Sequence, residues 1–138
     1  MVAVAGVELV AEKGIAQDKR YFGRRSQNGQ PSKRQVTLIE REILGEHARA
    51  LGVPEFAAGA VRSNIETEGI QLVPLSGRKV QIGTAVLRIG QPRDPCAKME
   101  AIAPGLRAAM ENNRQGVLAE VENSGAIQVG DLIQVLPP

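Results

Sequence analysis

Apolar and polar positions alternate along this chain mostly in short runs, not in the long 3.6-residue stripes of a helical protein. VAVAGVELV at 2–10 reads as a first strand, with a glycine suited to a bend or bulge. From 11 to 35 the chain turns polar and basic, with NG and QP turn signals and almost nothing apolar to bury, which predicts a long surface loop, mobile in part. VTLIE at 36–40 reads as a buried strand. EREILGEHARALG then places Ile43, Leu44, His47, Ala48 and Leu51 at helical spacing, and Gly52 and Pro54 end that helix. RSNIETEG at 62–69 is polar and turn-like. IQLVPL, GRKVQIG and TAVLRIG follow as three apolar runs split by glycine-containing turns, which predicts an antiparallel meander. MEAIAPGLRAAME predicts helix broken near Pro104 and Gly105. In the tail, Val117, Ala119 and Val121 alternate before an NSG turn and two further short runs, which predicts a late hairpin.

The fold class that follows is mainly β, a barrel-like antiparallel sheet with two or three short helices. A chain of 138 residues suits one domain over 1–138 and is long enough to bury its own core. Aromatics make up only 2%, so that core must be aliphatic. Fifteen glycines and eight prolines favour short strands and turns and argue against a helical bundle. A single cysteine makes no internal disulfide, and with the single His47 it falls short of the four ligands of a structural zinc site. The N-terminus lacks the basic region of a signal peptide, and no run reaches the roughly 18 apolar residues of a membrane span, so a soluble cytoplasmic protein is expected. Net charge is +2 and argues little by itself.

Local chemistry says more. Cys96 lies in QPRDPCAKME, flanked by Arg93, Asp94 and Pro95, which are not core residues. DPC before a periodic apolar run predicts a thiol at a helix start, with Asp94 as the cap and Pro95 in the first turn. A helix N-terminus and a nearby guanidinium favour thiolate, the nucleophilic and soft-metal-binding form, while Asp94 opposes it. A free cysteine is also often a small buried hydrophobe, and local reading leaves the two readings even. His47 falls on the periodic helix face between Leu44 and Leu51, where a packing histidine is commoner than a catalytic base. The glutamates look like solvated faces. Six cations between 19 and 34, with Tyr21 and Phe22 among them, suit a nucleic acid or a small anionic ligand. Arg62, Arg107 and Arg114, near turns and helix ends, add guanidinium forks for an anion.

Taken in order and spacing, GIAQDKRYFG, RQVTLIERE, RSNIETEGIQLVPLSGRKVQIGTAVLRIG, DPCAKME, NRQGVLAEV and SGAIQVGD resemble the MOSC domain, named for the C-terminal part of molybdenum-cofactor sulfurases. The likeness spans nearly the whole chain, and its specificity comes from the set: R-x-N-I-x-T-x-G, a Gly-Arg turn, P-C and a terminal G-x-I-x-x-G-D. The resemblance implies a barrel-like β fold of the pyruvate-kinase type. It implies that Cys96 is the functional sulfur, carrying sulfur as a persulfide or meeting the molybdenum of a bound molybdopterin cofactor. Arg62, Asn64 and Thr67 then become candidates for the cofactor pocket, with Arg93 beside the thiol and Arg114 from an R-G-G pattern whose middle position is here Gln115.

The resemblance also implies partners. The pyridoxal-phosphate half of full sulfurases is missing, so no pyridoxal phosphate is expected in this chain, and the sulfur donor would be a separate protein such as a cysteine desulfurase. The acceptor would be a molybdoenzyme or the pterin. Enzymatic activity stays open between sulfur transfer and a molybdenum-dependent reduction or oxygen transfer that draws on external electron donors, since no iron-sulfur ligand set exists. A membrane is not expected as a partner. Nor is nucleic acid, given two aromatics in the basic loop and a modest net charge, although a basic-loop nucleic-acid module stands as the alternative from another class.

Overall fold

The computed structural model describes residues 3–138; of the first predicted strand, Val2 lies outside them. The described chain carries nine strands, three short α-helices and one 3-10 turn. It falls into two compact units interleaved in sequence, one formed by Thr37–Pro74 with Pro92–Val117, the other by Val4–Val36, Leu75–Gln91 and Leu118–Pro138.

In the first unit, β3 (Val36–Glu40) is buried along all five residues, as an apolar run without alternation requires. Helix α1 (Arg41–Leu51) follows at once and buries Leu44, His47 and Ala48. It stops at Gly52, which takes the left-handed conformation (φ 66°) and donates its N–H to the Ala48 and Arg49 carbonyls. The chain then returns as β4 (Ile65–Thr67), which pairs parallel to β3 with Leu38 opposite Ile65 and Glu40 opposite Thr67. The turn expected over 62–69 therefore contains a strand, and the sheet is not purely antiparallel. The reason is the intervening helix: α1 is the crossover that a parallel pair needs. IQLVPL is not the first strand of a meander either. It closes as a 3-10 turn, Val73–Leu75, because Pro74 has no N–H to give a ladder.

Helices α2 (Ala97–Ile102) and α3 (Leu106–Ala109) are separated where Pro104 and Gly105 predicted a break. Their inward residues Met99, Ala103, Leu106 and Met110 pack with Ile39, Leu44, Ala48, Phe56 and Val61 into one cluster. The cluster is aliphatic in the main, with two methionines filling space between short helices that offer few branched side chains.

The second unit holds two sets of strands. β1 (Gly6–Val10) lies between β2 (Gly14–Ile15) and β8 (Gly125–Gln128), antiparallel to both. β5 (Lys79–Ile82) pairs with β6 (Ala85–Pro92) through a two-residue turn at Gly83 and Thr84, and on its other edge with β9 (Ile133–Val135). β7 (Val117–Asn123) follows next to β6. Gly83 is required at that turn: φ is 54° and a Cβ would collide with the Ala126 carbonyl oxygen. Two of the three meander strands are thus as predicted, but the late hairpin is not, since β8 joins β1 and β9 joins β5. Alternation along β6 and β7 sends Ala85, Leu87, Ile89, Ala119 and Val121 inward.

Candidate functional site

The segment after β6 carries Arg93-Asp94-Pro95-Cys96 into α2. Cys96 is exposed and free, and it is itself the N-cap residue of α2 in extended conformation (φ −124°, ψ 176°). Asp94 is not the cap expected from sequence, because α2 begins two residues later than DPC suggested and no side chain caps it. With six residues, α2 completes fewer than two turns, so only a short run of peptide dipoles points at the sulfur. Arg93 is buried at 8% exposure and donates from Nη1 to Ser63 Oγ at 3.4 Å, while its backbone N–H donates to the Gly116 carbonyl at 2.9 Å. These two bonds join the P-C segment to both other motif segments of the unit.

The first of those segments is R-S-N-I-E-T. Arg62 is exposed and holds φ at 63°, a left-handed conformation uncommon for a non-glycine, as the last residue of a turn whose N–H reaches the Gly59 carbonyl at 3.1 Å. Asn64 faces β3: its Oδ1 accepts from the Thr37 N–H and hydroxyl. No hydrogen bond from its Nδ2 occurs among the described residues, so that amide keeps its donors free. Thr67 is 4% exposed and its Oγ1 has no partner in the described structure; Oε1 of Glu40, opposite it in register, also has none. Orphaned polar atoms this deep are costly in a native fold and mark places where a water or ligand belongs.

The second segment is the turn N-N-R-Q-G. Asn112, Asn113 and Gly116 have positive φ, whereas Gln115 does not, so the position does not require glycine for its backbone conformation. Only Gly116 must be glycine, since a Cβ there would land on the Leu38 carbonyl oxygen. Gln115 is 1% exposed and both polar atoms of its amide lack partners. Arg114 pairs with Glu46 at 2.7 Å, an ion pair on the surface, and its carbonyl accepts the His47 Nε2–H at 2.8 Å. His47 is 2% exposed and serves as packing and as a tie between α1 and this turn.

The structure thus gathers Arg62, Asn64, Thr67, Arg93, Cys96 and Arg114 in one compact unit. Sequence reading missed Ser63 and the burial of Gln115, and it put Glu40 on a solvated face although this residue of the buried strand β3 is 6% exposed; Glu46 is exposed, as a solvated glutamate should be. Ser63 lies inside the R-x-N-I-x-T stretch at its variable position, and that neighbourhood was the only signal for it. Two grooves open on this unit. One, about 490 Å³, runs along α1 by Arg41, Glu42, Arg49 and Glu55; the other, about 750 Å³, starts at Ala97 and passes Glu100, Arg107 and Glu111. Cys96 lines neither, although its neighbour Ala97 opens the second. Among the described residues no helix is long and apolar enough to cross a membrane.

Comparison with known proteins gives the arrangement a family. The MOSC domain matches over residues 18–134. Among solved structures, the YuaD protein of Bacillus subtilis superposes with a TM-score of 0.78 at 21% identity, over 96% of this chain and 85% of that one. YiiM from Escherichia coli gives 0.77 at 22% identity over 99% of this chain, and YiiM from Geobacillus stearothermophilus 0.70 at 23% over 78%. The chain spans 65% and 56% of those two YiiM chains respectively. No protein of curated function matches. The barrel-like β class expected from the sequence is the class of this fold, and the chain belongs to the MOSC domain family.

Proposed function

We propose that this MOSC domain handles sulfur or a molybdopterin-type cofactor through Cys96. The observation that carries the reading is the solvent-exposed free thiol, bound into the motif set by the Arg93 contacts to Ser63 and Gly116. A carrier thiol must be reachable by a donor protein, and a side chain at the N-cap of a short helix is reachable. In the carrier step the Cys96 thiolate attacks the terminal sulfur of a donor persulfide. The new S–S bond forms on Cys96, the donor's S–S bond breaks, and the donor leaves as a thiolate, so no external oxidant or reductant is consumed.

The residues present also fit a pterin cofactor. Arg62 and Arg93 supply guanidinium forks for phosphate and pterin acceptors, Asn64 keeps its Nδ2 donor, and the Thr67 hydroxyl and the Gln115 amide lack partners. Arg114 is held only by a surface ion pair, an interaction worth about 0–1 kcal/mol and readily exchanged for an anion. When bound, such a cofactor supplies a molybdenum centre for sulfur or oxygen-atom exchange, and Cys96 would be the thiolate available to it.

Sulfur-labelled cysteine and a cysteine desulfurase test the carrier reading. Label should appear on the wild type and be absent from Cys96→Ala; an unlabelled wild type contradicts it. Molybdenum analysis of protein offered the free pterin tests cofactor binding separately, with uptake expected to fall in Arg62→Gln and Arg93→Gln. A wild type that takes up no pterin and no molybdenum ends that version while leaving the carrier version standing.

A further inference from the structure

The basic loop does more in space than its spacing in sequence suggests. Three guanidinium groups converge on one ring: Arg34, Arg20 and Arg24 lie 4.6, 5.2 and 5.7 Å from the centroid of Tyr21. Lys13 sits 5.8 Å from the Phe22 ring beside them. All of these distances fall within the reach at which a ring face attracts a cation. Residues 12–34 hold seven cations and two carboxylates, in a chain whose net charge is only +2. Among the described residues none of the seven cations forms an ion pair with a carboxylate; the four salt bridges use other arginines and Lys79. Asp18, the acid nearest the cluster, turns its Oδ1 to the backbone N–H groups of Arg20 and Tyr21.

The loop also has a built shape. Arg25 bridges to Pro31, the Ser32 N–H donates to the Arg24 carbonyl at 2.9 Å, and Ser26 is bonded to Asn28 and Gln30. Arg24 Nε donates to the Arg20 carbonyl at 2.6 Å and Arg25 Nη1 to the Gly29 carbonyl at 2.7 Å, which anchors each guanidinium through one nitrogen while both residues stay exposed. Arg34 Nε is buried without an acceptor, so the ring is what holds that guanidinium. Three like charges around one ring repel each other, and the arrangement gains most from an anion with several charges.

We propose that this face of the second unit docks single-stranded nucleic acid. The guanidinium groups take successive phosphates, and the half-buried Tyr21 ring with the arginine planes over it offers stacking surface to bases. An acidic protein would use the charges but not the ring, and a lipid surface would want apolar side chains that the tip from Gly23 to Gln30 does not have. The net charge that argued against a nucleic-acid partner averages over the whole chain, and the count of two aromatics in the loop carries no information on what surrounds them, so neither registers this convergence. The proposal is independent of Cys96 and stands or falls apart from it.

Tyr21 is the only tyrosine and there is no tryptophan, so intrinsic fluorescence reports this site alone. Titration with a single-stranded oligonucleotide should quench that signal saturably, with log K falling against log salt by about 0.7 per phosphate neutralised and a total slope of about −2 or steeper. Arg20→Gln, Arg24→Gln and Arg34→Gln together should flatten the slope by about 2, and Tyr21→Leu, followed by a labelled strand, should lower affinity roughly 5- to 100-fold without changing it. Should the triple variant fail to fold, the exposed Arg24→Gln alone should flatten the slope by about 0.7. Absence of saturable binding at low salt overturns the proposal, as does affinity untouched by Tyr21→Leu. Equal or tighter binding of polyglutamate or of duplex DNA would likewise overturn it.

Discussion

Asn64 and Thr37 hold each other by a closed set of hydrogen bonds. Oδ1 of Asn64 accepts from the Thr37 N–H at 2.9 Å and its hydroxyl at 3.0 Å, and Oγ1 of Thr37 accepts the Asn64 N–H at 2.9 Å. The exchange fixes where the R-S-N-I-E-T stretch begins against β3, and so where Arg62 and Thr67 can stand. Asn64→Ala would strand the buried Thr37 donors, and we expect about 2 kcal/mol of lost stability in denaturant titration. Asn64→Asp keeps the acceptor and should lose less.

Gly116 is the point of closest approach in the turn that reaches Arg93. Its φ of 78° and the Leu38 carbonyl lying where a Cβ would stand leave no room for alanine. Gly116→Ala should cost about 3 kcal/mol or more, read as a lowered melting temperature, whereas Gly29→Ala, with nothing near its Cβ direction, should cost less.

His47 donates to the Arg114 carbonyl and is otherwise packed in the helix face. His47→Leu should destabilise by about 1–2 kcal/mol, because a partly buried carbonyl loses its donor. The pH profile of Cys96 alkylation should be unchanged in His47→Gln, and a profile shifted by that variant would contradict the purely structural role of the histidine.

Glu122 accepts from Lys79 at 2.9 Å and Arg88 at 2.6 Å, and these bonds, Lys79 first, hold its carboxyl below the ordinary carboxylate range. A depressed native value means that its contribution is complete above the unfolded-state value of about 4.3 and is lost as pH falls through the native one. The groups are partly exposed, so the contribution is below about 1 kcal/mol. The stability difference between wild type and Glu122→Gln should therefore shrink towards zero on acidification below about pH 4.

Much of this architecture could be read from local pattern. The run VTLIE, the helix stopped by Gly52 and the break at Pro104 and Gly105 each depend on residues close in sequence, and each lies where those residues put it. β4 was hidden because Arg62 to Gly69 is polar and only Thr67 of the strand itself is buried, so no alternation was visible. Strand partners such as β8 with β1 depend on contacts more than a hundred residues apart, which no local period encodes. The site divides in the same way. The motif residues could be named, but the exposure of Cys96, the bond from Arg93 to Ser63 and the burial of Gln115 follow from packing alone. So does the gathering of Arg20, Arg24 and Arg34 on Tyr21, since Arg34 lies thirteen positions from the ring it covers.

The most direct test of the central claim is the intact mass of the protein after exposure to a cysteine desulfurase and cysteine. The account predicts a gain of one sulfur atom that reductant reverses, that maps to the peptide holding Cys96 and that is missing in Cys96→Ala. A wild type whose mass stays unchanged while a non-specific alkylating reagent modifies the same thiol would contradict it, because the sulfur would then be reachable yet unable to accept the cargo.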